Sequence, residues 1–203
     1  MPTQSEPTLA QQEDHLFRVL SSERFLKMEG LGNEVAHFIY DYDPTWTLDV
    51  AQARKRIKTK LDTELGIKVL EINLYELCVD LLKERNVWER VLAAEPTMDK
   101  PDFLKMLQNM LDPATHLAPA IKERIAGESF QILFLTGIGE VFPVVRSHTV
   151  LNNLQTVVSD KPLLMFFPGR YEVSATQGSA LVLFGQLKDD SFYRAKRILD
   201  QEA

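Results

Sequence analysis

The chain has 203 residues, a length that suits one domain whose core needs no covalent staple. Its net charge of −6 argues against a broadly basic nucleic-acid face, and its single cysteine, Cys78, excludes a disulfide framework or a cysteine-built zinc site. The opening MPTQSEPTLAQQED is no leader peptide and no apolar run reaches bilayer length, so a cytoplasmic protein is expected.

Residues 1–7 read as a disordered tip and residues 8–203 as one α/β domain, with 8–33 as an N-terminal helical segment. Thr8 and Gln11 form a capping-box pattern opening a helix with an apolar stripe of Leu9, Leu16, Phe17, Val19 and Leu20. A short helix from Ser22 follows and ends at Gly30 and Gly32. His37 to Tyr42 reads as the first strand, stopped by Pro44. Thr47 is expected to cap a helix with Val50, Ile57, Leu61 and Leu65 inward, Arg54 to Lys60 outward, and Gly66 just past its end.

A second strand, Ile67 to Asn73, leads into a long helix marked by Leu77, Leu81, Leu82, Trp88, Val91 and Leu92. Asp99 starts another helix, with Phe103, Leu104, Leu107 and Leu111 inside, and Asp112-Pro113 starts the next. Gln131 to Thr136 is the third strand, after which Pro143 is expected to begin a helix. Leu163 to Phe167, closed by Pro168-Gly169, is the fourth strand; Ala180 to Leu187 is the fifth; a last helix carries Phe192, Ala195, Ile198 and Leu199. This alternation predicts an α/β three-layer sandwich around a mostly parallel five-stranded sheet. In such sheets ligands gather beyond the carboxyl ends of the strands.

The candidate chemistry sits at those ends. Asp41 and Asp43 would suit a hard cation, or else cap local backbone, Asp43 before Pro44. Gly137-Ile138-Gly139-Glu140 lacks the third glycine of a dinucleotide fingerprint, and no glycine in the chain is followed by lysine, so no Walker A loop exists. Glu140 stands near the place of a Walker B acid, but without that loop it reads as a helix cap or an ion-pair member. On a helix from Pro143, His148 and Asn152 share a face, with Arg146 rotated away and Asn153 beside them. No nucleophile motif accompanies His148, so a hydrogen-bonded structural node competes with a general base there. Arg170 would clamp a phosphate or a partner's carboxylate, or simply be a solvated turn residue. The cations from Arg54 to Lys60, with Arg194 and Arg197, are the one local patch suited to DNA. No complete catalytic constellation and no cofactor motif is found.

Taken together in order and spacing, several of these stretches carry a resemblance. They are Asp41-Tyr-Asp-Pro44, Leu135-Thr-Gly-Ile-Gly-Glu-Val-Phe-Pro143, Arg146-Ser-His148, Leu151-Asn-Asn-Leu-Gln155, Phe166-Phe-Pro-Gly169 and Phe184-Gly-Gln-Leu-Lys-Asp-Asp190. From about residue 12 to the C-terminus the chain resembles the BrxB family of BREX bacteriophage-exclusion systems. The resemblance implies a part in phage defence beside a DNA methyltransferase and the alkaline-phosphatase-like PglZ protein, the expected partner. It carries over no catalytic residue, and the chain is expected to be a non-enzymatic adaptor. A nucleotide- or metal-binding regulator, or a DNA-binding component, is the alternative. The β/α order also resembles a P-loop ATPase core that has lost its phosphate loop, with strand order 5-1-4-3-2.

Overall fold

The computed structural model describes residues 7–29, 36–174, 178–189 and 195–203. Helix α1 (Leu9–Ser21) opens with the expected capping box: Thr8 Oγ1 accepts from the Gln11 backbone N–H, and the Gln11 side chain accepts from the Thr8 N–H at 2.9 Å. Ser22 caps the single turn α2 (Glu23–Leu26). The glycines read as its end, Gly30 and Gly32, lie outside the described residues. Strand β1 (His37–Tyr42) is buried along its whole length.

A 3₁₀ turn, Pro44–Trp46, then leads into α3 (Thr47–Leu65), which ends at Gly66 with φ 67°. That left-handed conformation costs glycine nothing sterically and stops the helix. Thr47 does not cap the helix as expected. Its hydroxyl donates to the Pro44 carbonyl at 2.7 Å, and Trp46 holds the N-cap position without a side-chain bond. Leu65, expected inside, is the last residue of α3 and is 51% exposed.

Strand β2 (Val69–Asn73) is followed by α4 (Leu74–Glu84) and α5 (Trp88–Ala94). The single long helix expected here is split because Asn86 adopts φ 57°, a region asparagine tolerates better than most residues. Asp99 caps α6 (Lys100–Met110) as expected, yet Phe103, Leu104 and Leu107 are only half-buried and no residue of α6 is fully buried. Asp112 caps a π-helical turn, Pro113–Leu117, that runs into α7 (Ala118–Ile125).

Strand β3 (Ile132–Thr136) precedes a short helix α8 (Ile138–Val141). Pro143 does not begin a helix; it lies in the link between α8 and α9 (Ser147–Leu154). The remaining elements are β4 (Leu163–Ser174), β5 (Gly178–Leu183), β6 (Leu187–Asp189), β7 (Lys196–Arg197) and a 3₁₀ turn, Ile198–Asp200.

The main sheet has the order β2-β3-β4-β1-β7, with every pair parallel. Pro168-Gly169 does not close β4. Residues 163–168 of β4 pair with β1, and the strand then continues through Gly169 into an antiparallel hairpin with β5, which in turn pairs with β6. The strand expected at Ala180 to Leu187 belongs to this hairpin. The fifth parallel place is taken by β7, where a terminal helix was expected around Ala195 to Leu199; Phe192 lies outside the described residues. With β7 as its fifth strand, the sheet has the order 5-1-4-3-2.

Side-chain alternation along the strands divides the core into two layers. Phe38, Tyr40, Phe134 and Phe166 face α1 and α3 through Leu16, Leu20, Val50, Ile57 and Leu61. Ile39, Leu133, Leu135 and Met165 face Leu77, Ile121, Leu151 and Leu154 of α4, α7 and α9. The result is three layers, helix–sheet–helix. Each leucine fully buried in these layers contributes ~1.5–3 kcal/mol.

Candidate functional site

The carboxyl ends of β1 and β4 open into a groove of about 1100 Å³. Its floor and walls include Asp41, Tyr42 and Asp43 from the end of β1, and Trp46 from the turn after it. The hairpin contributes Arg170 and Glu172, α1 contributes Gln12, His15 and Arg18, and the C-terminal segment contributes Arg197. Three sequence candidates, Asp41, Asp43 and Arg170, therefore meet here.

Asp41 is 6% exposed. Its Oδ1 accepts from Arg197 Nε at 2.7 Å and its Oδ2 accepts from the Tyr171 backbone N–H at 3.1 Å. One carboxylate thus joins β1, the bend of β4 and the C-terminal strand. Tyr171 reinforces the same junction by donating its hydroxyl to the Ala195 carbonyl at 2.7 Å. Asp43, two residues on, is exposed and turns to its own backbone. Its Oδ1 accepts from Thr45 N at 2.8 Å and from Thr45 Oγ1 at 2.7 Å. The bond from the Thr45 hydroxyl, then that from its N–H, holds the Asp43 carboxyl below the usual carboxylate range. The two acids serve different partners rather than one cation. No group of three His, Cys, Asp or Glu side chains placed to hold a metal ion occurs among the described residues.

Beneath the groove, Tyr40 donates its hydroxyl to Gln12 Oε1 at 2.8 Å, and Gln12 Nε2 donates to the Pro7 carbonyl at 3.1 Å. This buried bridge fixes α1 over β1. His15 Nε2 is buried in the same wall and has no hydrogen-bond partner among the described residues.

The other candidates lie elsewhere. Glu140 is exposed on α8, near enough to Tyr42 to add to the burial that raises the Tyr42 phenol. Arg146 stands at the N-cap position of α9, not within a helix from Pro143. It lines a separate pocket of about 250 Å³ with Phe142, Leu181 and Leu187. His148 Nε2 lies 2.9 Å from Thr149 Oγ1. Asn153 donates to the Thr149 carbonyl at 2.8 Å, and exposed Asn152 accepts from Gln155 at 3.4 Å. These contacts are local to α9, as in the structural-node reading, and do not reach the groove.

The basic stretch of α3 is largely spent on neighbours. Arg54 Nε lies 3.0 Å from Glu71 and Lys58 3.6 Å from Glu71. Arg56 binds Glu13 at 2.6 Å, and Lys60 sits 4.0 Å above the Phe17 ring. Arg54, expected outward, is only 16% exposed because it lies over Phe166. Arg194 lies outside the described residues.

Sequence reasoning missed Arg197 as the partner of Asp41, and missed the α1 wall of Gln12, His15 and Arg18. Arg197 carried no local signal, because Lys196-Arg197 reads as the polar side of a helix. The α1 wall had only the proximity of α1 to β1 in the chain to suggest it.

A family model described as "BREX protein BrxB" matches residues 70–198. A curated relative from Bacillus cereus (strain H3081.97), "BREX protein BrxB", is 34% identical over 191 residues, covering 93% of this chain and 96% of the relative. Another of the same name, from Escherichia coli O9:H4 (strain HS), is 29% identical over 194 residues, covering 96% and 93%. No solved structure matches. Among the described residues no helix is long and apolar enough to cross a membrane. The chain belongs to the BrxB family of BREX proteins.

Proposed function

We propose that the chain is a non-enzymatic adaptor of a BREX phage-defence system, acting in the cytoplasm. Its partner is another protein of the system, in the first place the alkaline-phosphatase-like PglZ protein. The observation that carries this reading is the occupation of Asp41. The acid best placed for chemistry at the strand ends is committed to Arg197 and Tyr171, as a brace between strands. Asp43 and Asn153 likewise bond within their own turn or helix. Co-purification of the purified chain with the PglZ-type protein, followed by titration, tests it. A complex at micromolar or tighter affinity is expected; failure to bind any protein of the system refutes it.

In this reading the fold is that of a P-loop ATPase core without its phosphate loop. The parallel order β2-β3-β4-β1-β7 supports it, with Asp43 to Trp46 standing after β1 where such a loop would lie. The groove favours a second reading, a nucleotide-binding regulatory subunit. Arg18 and Arg170 line the groove, and His15 Nε2 lies in its wall without a partner among the described residues. A thermal-shift screen with ATP, GTP and Mg²⁺ separates the readings, because a ligand bound only by the native state raises Tm. A flat screen removes the second reading and leaves the first.

A further inference from the structure

The carboxyl end of the parallel sheet carries exposed apolar side chains that the core does not use. Leu48, on the first turn of α3, is 81% exposed; Tyr75, on the first turn of α4, is 49%; Phe184, after β5, is 41%. The Phe184 ring lies against Gly139 of α8, and the Phe184 N–H donates to the Pro168 carbonyl at 2.8 Å, which ties the β4/β5 hairpin to the end of β3. Tyr75 follows β2, Gly139 follows β3, Pro168 ends the β1 pairing of β4, and Leu48 follows β1. Three strand spacings of ~4.8 Å separate β2 from β1, so the strand ends beneath these residues lie about 15 Å apart across the sheet. That is well within a protein footprint of ~800 Å² per partner.

Carboxylates frame this rim. Asp43, Asp49, Glu76 and Glu140 are all exposed, and none is in an ion pair among the described residues. Asp49, Glu76 and Glu140 stand in the first turns of α3, α4 and α8, where the positive helix ends favour carboxylates. On the hairpin, exposed Arg170 and Glu172 cancel. By comparison, Glu13, Asp62, Glu71 and Asp80 on other faces each hold a cation. An apolar rim framed by unmatched carboxylates repels phosphates and suits a protein surface whose apolar pockets are ringed by lysine and arginine.

We propose that this rim, from Tyr75 through Phe184 to Leu48, is the face by which the chain docks on a basic, apolar-pocketed surface of its partner protein. The inference rests on the adaptor reading and adds the surface and the chemistry to it. Leu48 and Tyr75 are the anchors, because each is exposed enough to be buried anew. The carboxylates set orientation and association rate.

The test uses the full chain and the purified PglZ-type protein, with affinity measured at low and high salt. Leu48→Ser with Tyr75→Ser is expected to weaken binding about tenfold or more. Glu76→Lys with Glu140→Lys is expected to weaken it at low salt and to flatten its salt dependence. Lys55→Glu, on the exposed face of α3, is expected to leave binding unchanged. All these sites are exposed, and an unaltered Tm confirms that each variant is folded. Wild-type binding that survives both rim variants overturns the rim assignment and leaves the adaptor reading standing. Wild-type failure to bind the PglZ-type protein overturns that choice of partner, and the rim assignment with it. Rim-dependent binding of duplex DNA at low salt would mean that the rim takes a nucleic acid, and overturns the proposal.

Discussion

Arg197 Nε donates to Asp41 Oδ1 across 2.7 Å of space and 156 positions of chain. The Asp41 side chain is 5% exposed and the Arg197 side chain 37%. This asymmetry decides what each truncation costs. Arg197→Ala leaves a buried carboxylate with the Tyr171 N–H as its remaining donor, whereas Asp41→Asn keeps an acceptor for that N–H and leaves a guanidinium that can turn to water. Arg197→Ala is therefore expected to cost ~2–3 kcal/mol and Asp41→Asn about 1. Urea unfolding of both variants checks the order, and equal losses or a reversal would show that the brace does not work this way.

That brace also marks where the chain could be read and where it could not. β1 was legible because Pro44 stops a run of strand-formers and Asp43 is a turn residue. The caps at Thr8, Asp99 and Gly66 were legible because each is a local hydrogen-bonding or dihedral requirement. β7 was not, because a two-residue strand has no period and exists only through pairing with Phe38 and Ile39. The course of β4 was not legible either. Pro168-Gly169 has the composition of a turn, yet Pro168 is the last residue paired with β1, opposite Tyr42, so its missing N–H falls where that ladder ends. Of the site residues, the neighbours Asp41 and Asp43 were visible, but their different partners depend on tertiary geometry.

Gly169 makes the β4 bend possible. A Cβ there would collide with the Val182 carbonyl oxygen of β5 and crowd the Phe167 ring at 2.9 Å. The carbonyl is backbone in a paired strand and cannot step aside. Gly169→Ala is expected to cost ~3 kcal/mol and to loosen the hairpin. Gly127 is the control: its φ is +84° but nothing lies within 4 Å of an added Cβ. Gly127→Ala should lose about 1 kcal/mol, from the dihedral alone. Thermal unfolding of the pair measures the steric part by difference.

The buried bridge under the groove predicts non-additivity. Tyr40→Phe removes the donor and leaves Gln12 Oε1 buried and unpaired, a loss of about 1–2 kcal/mol. Gln12→Leu strands the Tyr40 hydroxyl instead and also releases the Pro7 carbonyl. In the double variant neither buried group lacks a partner, so its loss should fall below the sum of the singles by about 1 kcal/mol. Strict additivity in a denaturant double-mutant cycle would mean that the two side chains are not coupled.

His37 gives stability a pH window of its own. The side chain is 1% exposed on β1, and burial pushes its imidazole down from 6.5 to about 4, with the Val158 backbone opposing. Between those values the unfolded chain binds a proton that the folded chain refuses, so stability falls as pH falls from about 6.5 towards 4. The slope reaches ~1.4 kcal/mol per pH unit and the total is about 3 kcal/mol; below about 4 both states are protonated and His37 contributes no further loss. Asp43 and Asp112 act in a separate window. Their carboxyls are held below 3.8, chiefly by Thr45 and Thr115, so the stability they add is lost only as pH falls beneath that value. Denaturant midpoints measured from pH 7 to 3 should therefore show two stages of loss in the wild type. His37→Leu should abolish the upper stage and keep the lower. An unchanged upper stage in that variant would assign the window to another group.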